Sequence, residues 1–240
     1  MSEIEEKIAR VVAARHDRLR LIDASNKSVE VPWPEALNKV GAYAVYIVHA
    51  GLFKTLASDF DAIKGKSLYD VARAIEIFTA LGIRFVVTCS GQPDNRHILA
   101  TFPSGIPAGK VADVGRWFHL LFPSLDHALL LNPRTGAIRP PYAPHRSGVG
   151  RSEVVGDPKD ALAILEIGNS IETFNILYEY LSTHTNIKNT STLVLEVFPA
   201  DTSARPVNQT PPRQCKVLSP RMSLLLQHGD QSGRYRSSSE

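Results

Sequence analysis

The stretch from residue 42 to residue 122 leaves few folds open. "AYAVYIVHAG" (42–51) and "FKTLASDFDA" (53–62) are rich in β-branched and aromatic residues. With the turn at Ala50-Gly51 between them they read as a hairpin. "SLYDVARAIEIFTALG" (67–82) puts Leu68, Val71, Ala72, Ile75 and Phe78 on one helical face, and Gly82 is a natural stop. "IRFVVTCS" (83–90) reads as a buried strand, "GQPDN" as a turn and "RHILATF" (96–102) as the returning strand. "AGKVADVGRWFHLLF" (108–122) is a second amphipathic helix. The order β-β-α-β-β-α predicts an antiparallel or mixed sheet of the α+β class. It argues against the βαβαβ rhythm of a doubly wound fold.

The flanks are read more coarsely. Ser2 to about Leu21 reads as a helix, with Ser2 and Glu5 as a capping box and Ile4, Ile8, Val11 and Val12 as its apolar face. "VPWPEALNKVG" (31–41) reads as a proline-started short helix ended by Gly41. "AIRPPYAPHRSGVGRS" (137–152) is at most an edge strand running into a loop, because its prolines cannot donate to a ladder. Residues 158–184 read as one long helix or two short ones. Residues 186–213 look like a linker around the apolar "TLVLEVF", and 218–229 like a short helix before a polar tail. The expected division is a catalytic domain over 1–155 and a helical extension with linker over 156–240, the latter read as the start of a longer region.

Composition excludes some classes. An apolar fraction of 43% is sufficient for a core. No apolar run reaches the roughly 20 residues of a membrane span. The N-terminus lacks the apolar stretch of a secretory signal. Cys89 and Cys215 stand far apart with no CxxC, which argues against a disulfide framework or a thiolate zinc site and fits a cytoplasmic protein. A net charge of +3 does not by itself imply nucleic acid.

Three constellations carry chemistry. In "SDFD" (58–61), Asp59 and Asp61 project to one face if the segment is extended, and Phe60 projects to the other. Side-by-side carboxylates repel unless a cation lies between them, and a hard ion such as Mg²⁺ or Mn²⁺ is the natural remedy. The same pair also reads as a solvated strand end. Lys64 follows, suited to a phosphate or to a salt bridge. In "SGQPDNRH" (90–97), a turn delivers Arg96 and His97, donors that fit phosphate oxygens or, alternatively, a surface arginine and a structural histidine. Asp126 then offers a third carboxylate. From His127 to Ser152 there is no acid, while Arg134, Arg139, Arg146 and Arg151 are all positive. That span suits a polyanion, or is a basic solvated loop.

Taken in order, "SDFD", "NRH", "SLD" and "GAIRPPYAPHRSG" resemble the archaeo-eukaryotic primase superfamily, in particular the primase–polymerase proteins of actinobacteria, their phages and plasmids. The middle motif usually reads Ser-x-His, and Asn95 stands here at the first position. The resemblance implies an RRM-like antiparallel core beside an N-terminal α/β subdomain. It implies that Asp59, Asp61 and Asp126 hold two Mg²⁺ or Mn²⁺ ions. His97 would contact a nucleoside triphosphate, with Arg96 or Lys64 nearby as charge partners, and Arg139, His145 and Arg146 would contact the triphosphate or the template backbone. The implied partners are single-stranded DNA, dNTP or NTP, and a fused or separate helicase, with no structural zinc. Two other readings stay open: a DxD phosphatase or nuclease, and a single-strand-binding module without catalysis.

Overall fold

Two antiparallel sheets meet along the chain at Ile47. The computed structural model describes residues 2–186 except 36, 38, 39, 93 and 149. After helix α1 (Glu3–Val12), strands β1 (Arg18–Ile22), β2 (Ser28–Pro32) and β3 (Tyr43–Tyr46) join β9 (Ala137–Ile138) in a four-stranded sheet of order β2-β1-β3-β9. The second sheet contains β4 (Val48–His49), β5 (Leu52–Phe60), β6 (Val86–Cys89), β7 (Arg96–Pro107), β8 (Leu125–Asp126) and β10 (Glu153–Val154). Its order is β10-β6-β7-β5-β4, and β8 pairs with the far end of β5. Ile47 ties the sheets together, donating its amide to Gly136 and accepting from Lys54.

Helix α2 (Ser67–Ala80) lies between β5 and β6, and α3 (Ala108–Leu121) between β7 and β8. All the strand pairings among the described residues are antiparallel, as the α+β expectation required. Register fixes the faces. Leu56, Ser58 and Phe60 of β5 share one face with Ile98, Ala100 and Phe102 of β7. A chain of ring contacts, Phe60–Phe122–Phe118–Phe78–Phe85, fills the space between that face and α2 and α3. Thr55, Ala57 and Asp59 share the other face with Thr101, Leu99 and His97.

On that second face two buried threonines satisfy helix ends. Thr55 donates to the Val12 carbonyl at 2.8 Å, and Thr101 to the Leu165 carbonyl of α4 (Pro158–Ile167) at 2.6 Å. The last carbonyls of a helix lack intrahelical partners, so these hydroxyls fasten α1 and α4 over the sheet. Helix α5 (Ile171–Asn186) crosses the first face, with Phe174 edge-on to Phe102. The core therefore runs on without a break past residue 155. The segment 158–184 is two helices because Gly168 takes a left-handed φ of 61°. A Cβ there would come within 2.7 Å of the Pro103 ring. Asn169 then bonds Arg84 and Thr101 across the break.

Three local expectations are corrected. The N-terminal helix stops at Val12, and "RLRLI" is strand β1. Its arginines find partners outside the segment: Arg18 bonds Glu30 at 3.0 Å, and Arg20 stacks over Tyr46. Residues 31–32 end β2 rather than start a helix. Leu68 is 41% exposed and does not join the apolar face of α2. The linker, "TLVLEVF" and the helix at 218–229 lie outside the described residues.

Gly136 has no room for a side chain. A Cβ would stand 2.6 Å from the Leu129 carbonyl oxygen and 2.9 Å from that of Asn132, both backbone atoms that cannot swing away. Gly136→Ala is expected to destabilise the protein by about 1–3 kcal/mol, the usual range for overpacking, as read by denaturant unfolding.

Candidate functional site

Register builds the site before any side-chain detail is considered. Asp59 on β5 lies directly opposite His97 on β7 and opposite Asp126 on β8, and His97 in turn lies opposite Thr88 on β6. Directly paired residues of an antiparallel sheet point to one face, with Cβ atoms about 4.5–5.5 Å apart. One row of side chains, Thr88–His97–Asp59–Asp126, thus crosses four strands. The sequence folds this way because the neighbouring row, Cys89–Arg96–Phe60–Leu125, points oppositely and is buried.

The row is held at its end by residues that sequence reasoning passed over. Asp70 of α2 is buried and accepts from the Ser124 amide at 3.0 Å and the Ser124 hydroxyl at 2.6 Å. Ser124 in turn accepts the Asp61 amide at 2.9 Å. Asp70 therefore fixes the start of β8 against the end of β5. The only signal for it in sequence was an acid on the buried stripe of an amphipathic helix.

Within the row, His97 Nε2 lies 3.3 Å from Asp59 Oδ1. The imidazole is buried, and its Nδ1 has no hydrogen-bond partner. Burial works against charge on Asp59. The His97 ring beside it, with Arg139 and Lys64 adding their charges, outweighs that cost and holds the carboxyl below its ordinary range. Asp126 pairs with Lys64 at 3.0 Å and accepts from the Ala128 amide at 3.1 Å. Asp61 follows β5 and caps the 3-10 turn Ala62–Lys64, accepting from the Ile63 amide. Asn95 donates to the same Asp61 oxygen at 3.3 Å and accepts the Ala62 amide at 2.8 Å. The residue that replaces serine in the middle motif is thus engaged in shaping the acid turn.

A cleft of about 210 Å³ lies where the two sheets meet. It is lined by Asp59 and His97, by Arg139, His145 and Arg146, and by the apolar Ile22, Ala42, Ala44, Ala137 and Ile138. The basic residues arrive by a short hairpin: Pro144 bridges Arg151, and the His145 amide bonds the Gly150 carbonyl. Arg146 reaches Asn26 in the β1–β2 turn at 2.8 Å, and Arg139 donates to the Ser90 carbonyl.

Of the nine residues singled out in the sequence, five line the cleft. Asp126 and Lys64 stand beside it through the row. Asp61 is held in its turn. Arg96 lies on the opposite face, buried, with its NH1 group on the Asn95 carbonyl and its Nε without a partner. A forked donor next to His97 in sequence is thereby turned away from the cleft, since neighbouring strand residues face opposite sides. Among the described residues no group of three or more His, Cys, Asp or Glu side chains is gathered in metal-holding geometry.

His145 gives a pH prediction. Burial pushes its imidazole below the ordinary 6.5, and the guanidinium groups of Arg139 and Arg146 add to the effect. The folded state thus binds its proton less readily than the unfolded chain. The contribution of neutral His145 to stability is complete above pH 6.5 and is lost as the pH falls through that value. An NMR titration should place the His145 midpoint below 6.5, and Arg139→Gln should move it upward.

No family model matches the chain, and no curated protein matches it. Among solved structures, the AEP domain of the cyanophage S-2L primase-polymerase aligns over 67% of this chain and 97% of its own length, at 15% identity and a TM-score of 0.46. Described residues contain no helix long and apolar enough to cross a membrane.

Proposed function

We propose that the cleft is a nucleotidyl-transfer site and that the chain is a primase–polymerase domain, extending a strand on a single-stranded DNA template. The observation that carries this is the row Asp126–Asp59–His97, whose Asp59 and His97 share one cleft with Arg139, His145 and Arg146. Carboxylates suited to a hard cation and guanidinium groups suited to phosphate oxygens thus stand together, as an anionic, metal-dependent substrate requires. The unit β5-α2-β6-β7-α3-β8, with spatial order β6-β7-β5-β8, supports reading it as an RRM-like core, and the four-stranded sheet as the flanking subdomain.

The oxygen donors of Asp59 and Asp126 fit a hard divalent ion. They are neighbours across two strands, and a lysine ammonium already sits 3.0 Å from one of them, where a cation belongs. Asp61 is the third donor in this reading. When bound, such ions lower the pKa of a 3′-hydroxyl and stabilise the leaving pyrophosphate. The chain supplies the rest. Arg139 and Arg146 bind and orient phosphate oxygens by charge and fork geometry. His97, fixed by burial and by Asp59, presents a ring nitrogen to the triphosphate. Lys64, beside Asp126, would add a further positive charge for the phosphates. The apolar wall of Ile22, Ala42 and Ala44 receives the less polar part of the nucleotide.

The test is incorporation of labelled dNTP and NTP on primed and unprimed single strands, with Mg²⁺, with Mn²⁺ and with EDTA. Metal-dependent incorporation supports the proposal. DNA binding that is unchanged in EDTA, with no incorporation under any condition, overturns it in favour of a binding module.

A further inference from the structure

The turn that follows the acid pair has a surface that the cleft does not use. Ile63 is 94% exposed, Tyr69 59% and Leu68 41%. Three of the eight large hydrophobic side chains exposed among the described residues therefore fall within positions 63–69. Exposed apolar residues scattered singly are ordinary, whereas a cluster marks an interaction site. Lys66 is exposed between them. Arg73, one turn further along α2, holds its guanidinium 5.9 Å from the centre of the Tyr69 ring. The acid of this stretch, Asp70, is turned inward onto Ser124. What faces solvent is thus apolar, aromatic and positive. It also adjoins the carboxylate row, because Lys64 of the same turn is the ion-pair partner of Asp126.

We infer that this surface is a stacking platform for single-stranded DNA, with bases lying on Ile63, Leu68 and Tyr69 and phosphates meeting Lys66 and Arg73. The inference rests on the nucleotidyl-transfer reading and names where the strand runs beside that site. Single strands are held by this combination of flat apolar faces and cations that follow the backbone. An arginine stacked on a tyrosine widens the face on which a base lies. Two cations without an exposed acid between them favour a polyanion over a neutral protein surface.

The experiment is fluorescence anisotropy with a labelled oligothymidylate, in EDTA, so that binding is read apart from catalysis. Tyr69→Ala is expected to weaken binding by roughly 5- to 20-fold, on the scale of losing one base–aromatic stack, while Tyr69→Phe binds like the parent. Lys66→Gln is expected to lower the slope of affinity against salt. These side chains are exposed, so the variants should keep the parent's unfolding midpoint. Asp59→Asn should bind the strand as the parent does. The platform is overturned if Tyr69→Ala and Lys66→Gln bind like the parent, or if the parent binds no single strand. Undiminished incorporation by Asp59→Asn would instead sink the nucleotidyl-transfer reading, with platform binding left as measured.

Discussion

Asp59→Ala is expected to incorporate nucleotide at least about a hundred-fold more slowly than the parent, the scale on which loss of one preorganised charge contact is felt. Asp59 is the centre of the row, flanked by His97 on one strand and Asp126 on the other. Removing its carboxylate takes away one of two adjacent oxygen donors. It also removes the contact that orients the buried imidazole. The second effect has its own signature. His97 Nδ1 already lacks a partner, and without Asp59 the Nε2 loses its own. A buried polar group left unsatisfied costs about 1–3 kcal/mol, so unfolding should shift as well as activity. Asp59→Asn separates the two, because an amide keeps a hydrogen bond to the ring and loses the charge. It should fold nearly as stably as the parent and still fail to incorporate.

Phe60→Ala is expected to give the largest loss of stability, about 3–5 kcal/mol, the range for deleting a buried phenylalanine. The ring is 1% exposed and stands edge-on to Phe122, its centre 6.1 Å from that ring. It begins the aromatic chain that ends at Phe85, so the cavity would open between the sheet and α3, where neighbours on two elements cannot both collapse. Phe60 lies between the two acids and fixes their common direction by pointing the other way. Its removal should therefore lower activity too, but less than Asp59→Ala at temperatures where the variant remains folded. Denaturant unfolding, with incorporation measured well below the transition, checks both parts.

Much of the fold was legible because it rests on local periodicity. The helices at 67–82 and 108–122 and the returning strand from residue 96 follow from spacing that a short window contains. Of the hairpin expected over 42–62, only Val48–His49 pairs with β5, and Tyr43–Tyr46 joins the other sheet. The N-terminal strand was not legible, since "RLRLI" continues a charged helical pattern. Its β identity comes from Glu30 and Tyr46, which lie 12 and 26 residues from their arginine partners. Leu68 failed for a related reason: the helical stripe was read one turn too far toward a surface that nothing described covers.

Residue types at the candidate site were legible, but their directions were not. Strand parity predicted that Asp59 and Phe60 would part ways. The same parity, applied across the ladder, turns Arg96 away while admitting His97, and it needed the β5–β7 register to be seen. Arg139, His145 and Arg146 were chosen for the local motif "IRPPYAPHRSG" and for charge. Their arrival at the same cleft depends on the bridge from Pro144 to Arg151, which a proline- and glycine-rich segment does not announce. Asp70, which holds Ser124 and with it the end of the row, carries no motif of its own.

The most direct measurement is extension of an end-labelled primer on a single-stranded template with Mg²⁺ or Mn²⁺, resolved nucleotide by nucleotide. The account predicts a ladder of templated additions from the parent protein, with pyrophosphate released in step and no ladder from Asp59→Asn. Shortened primer, or inorganic phosphate without elongation, would contradict it.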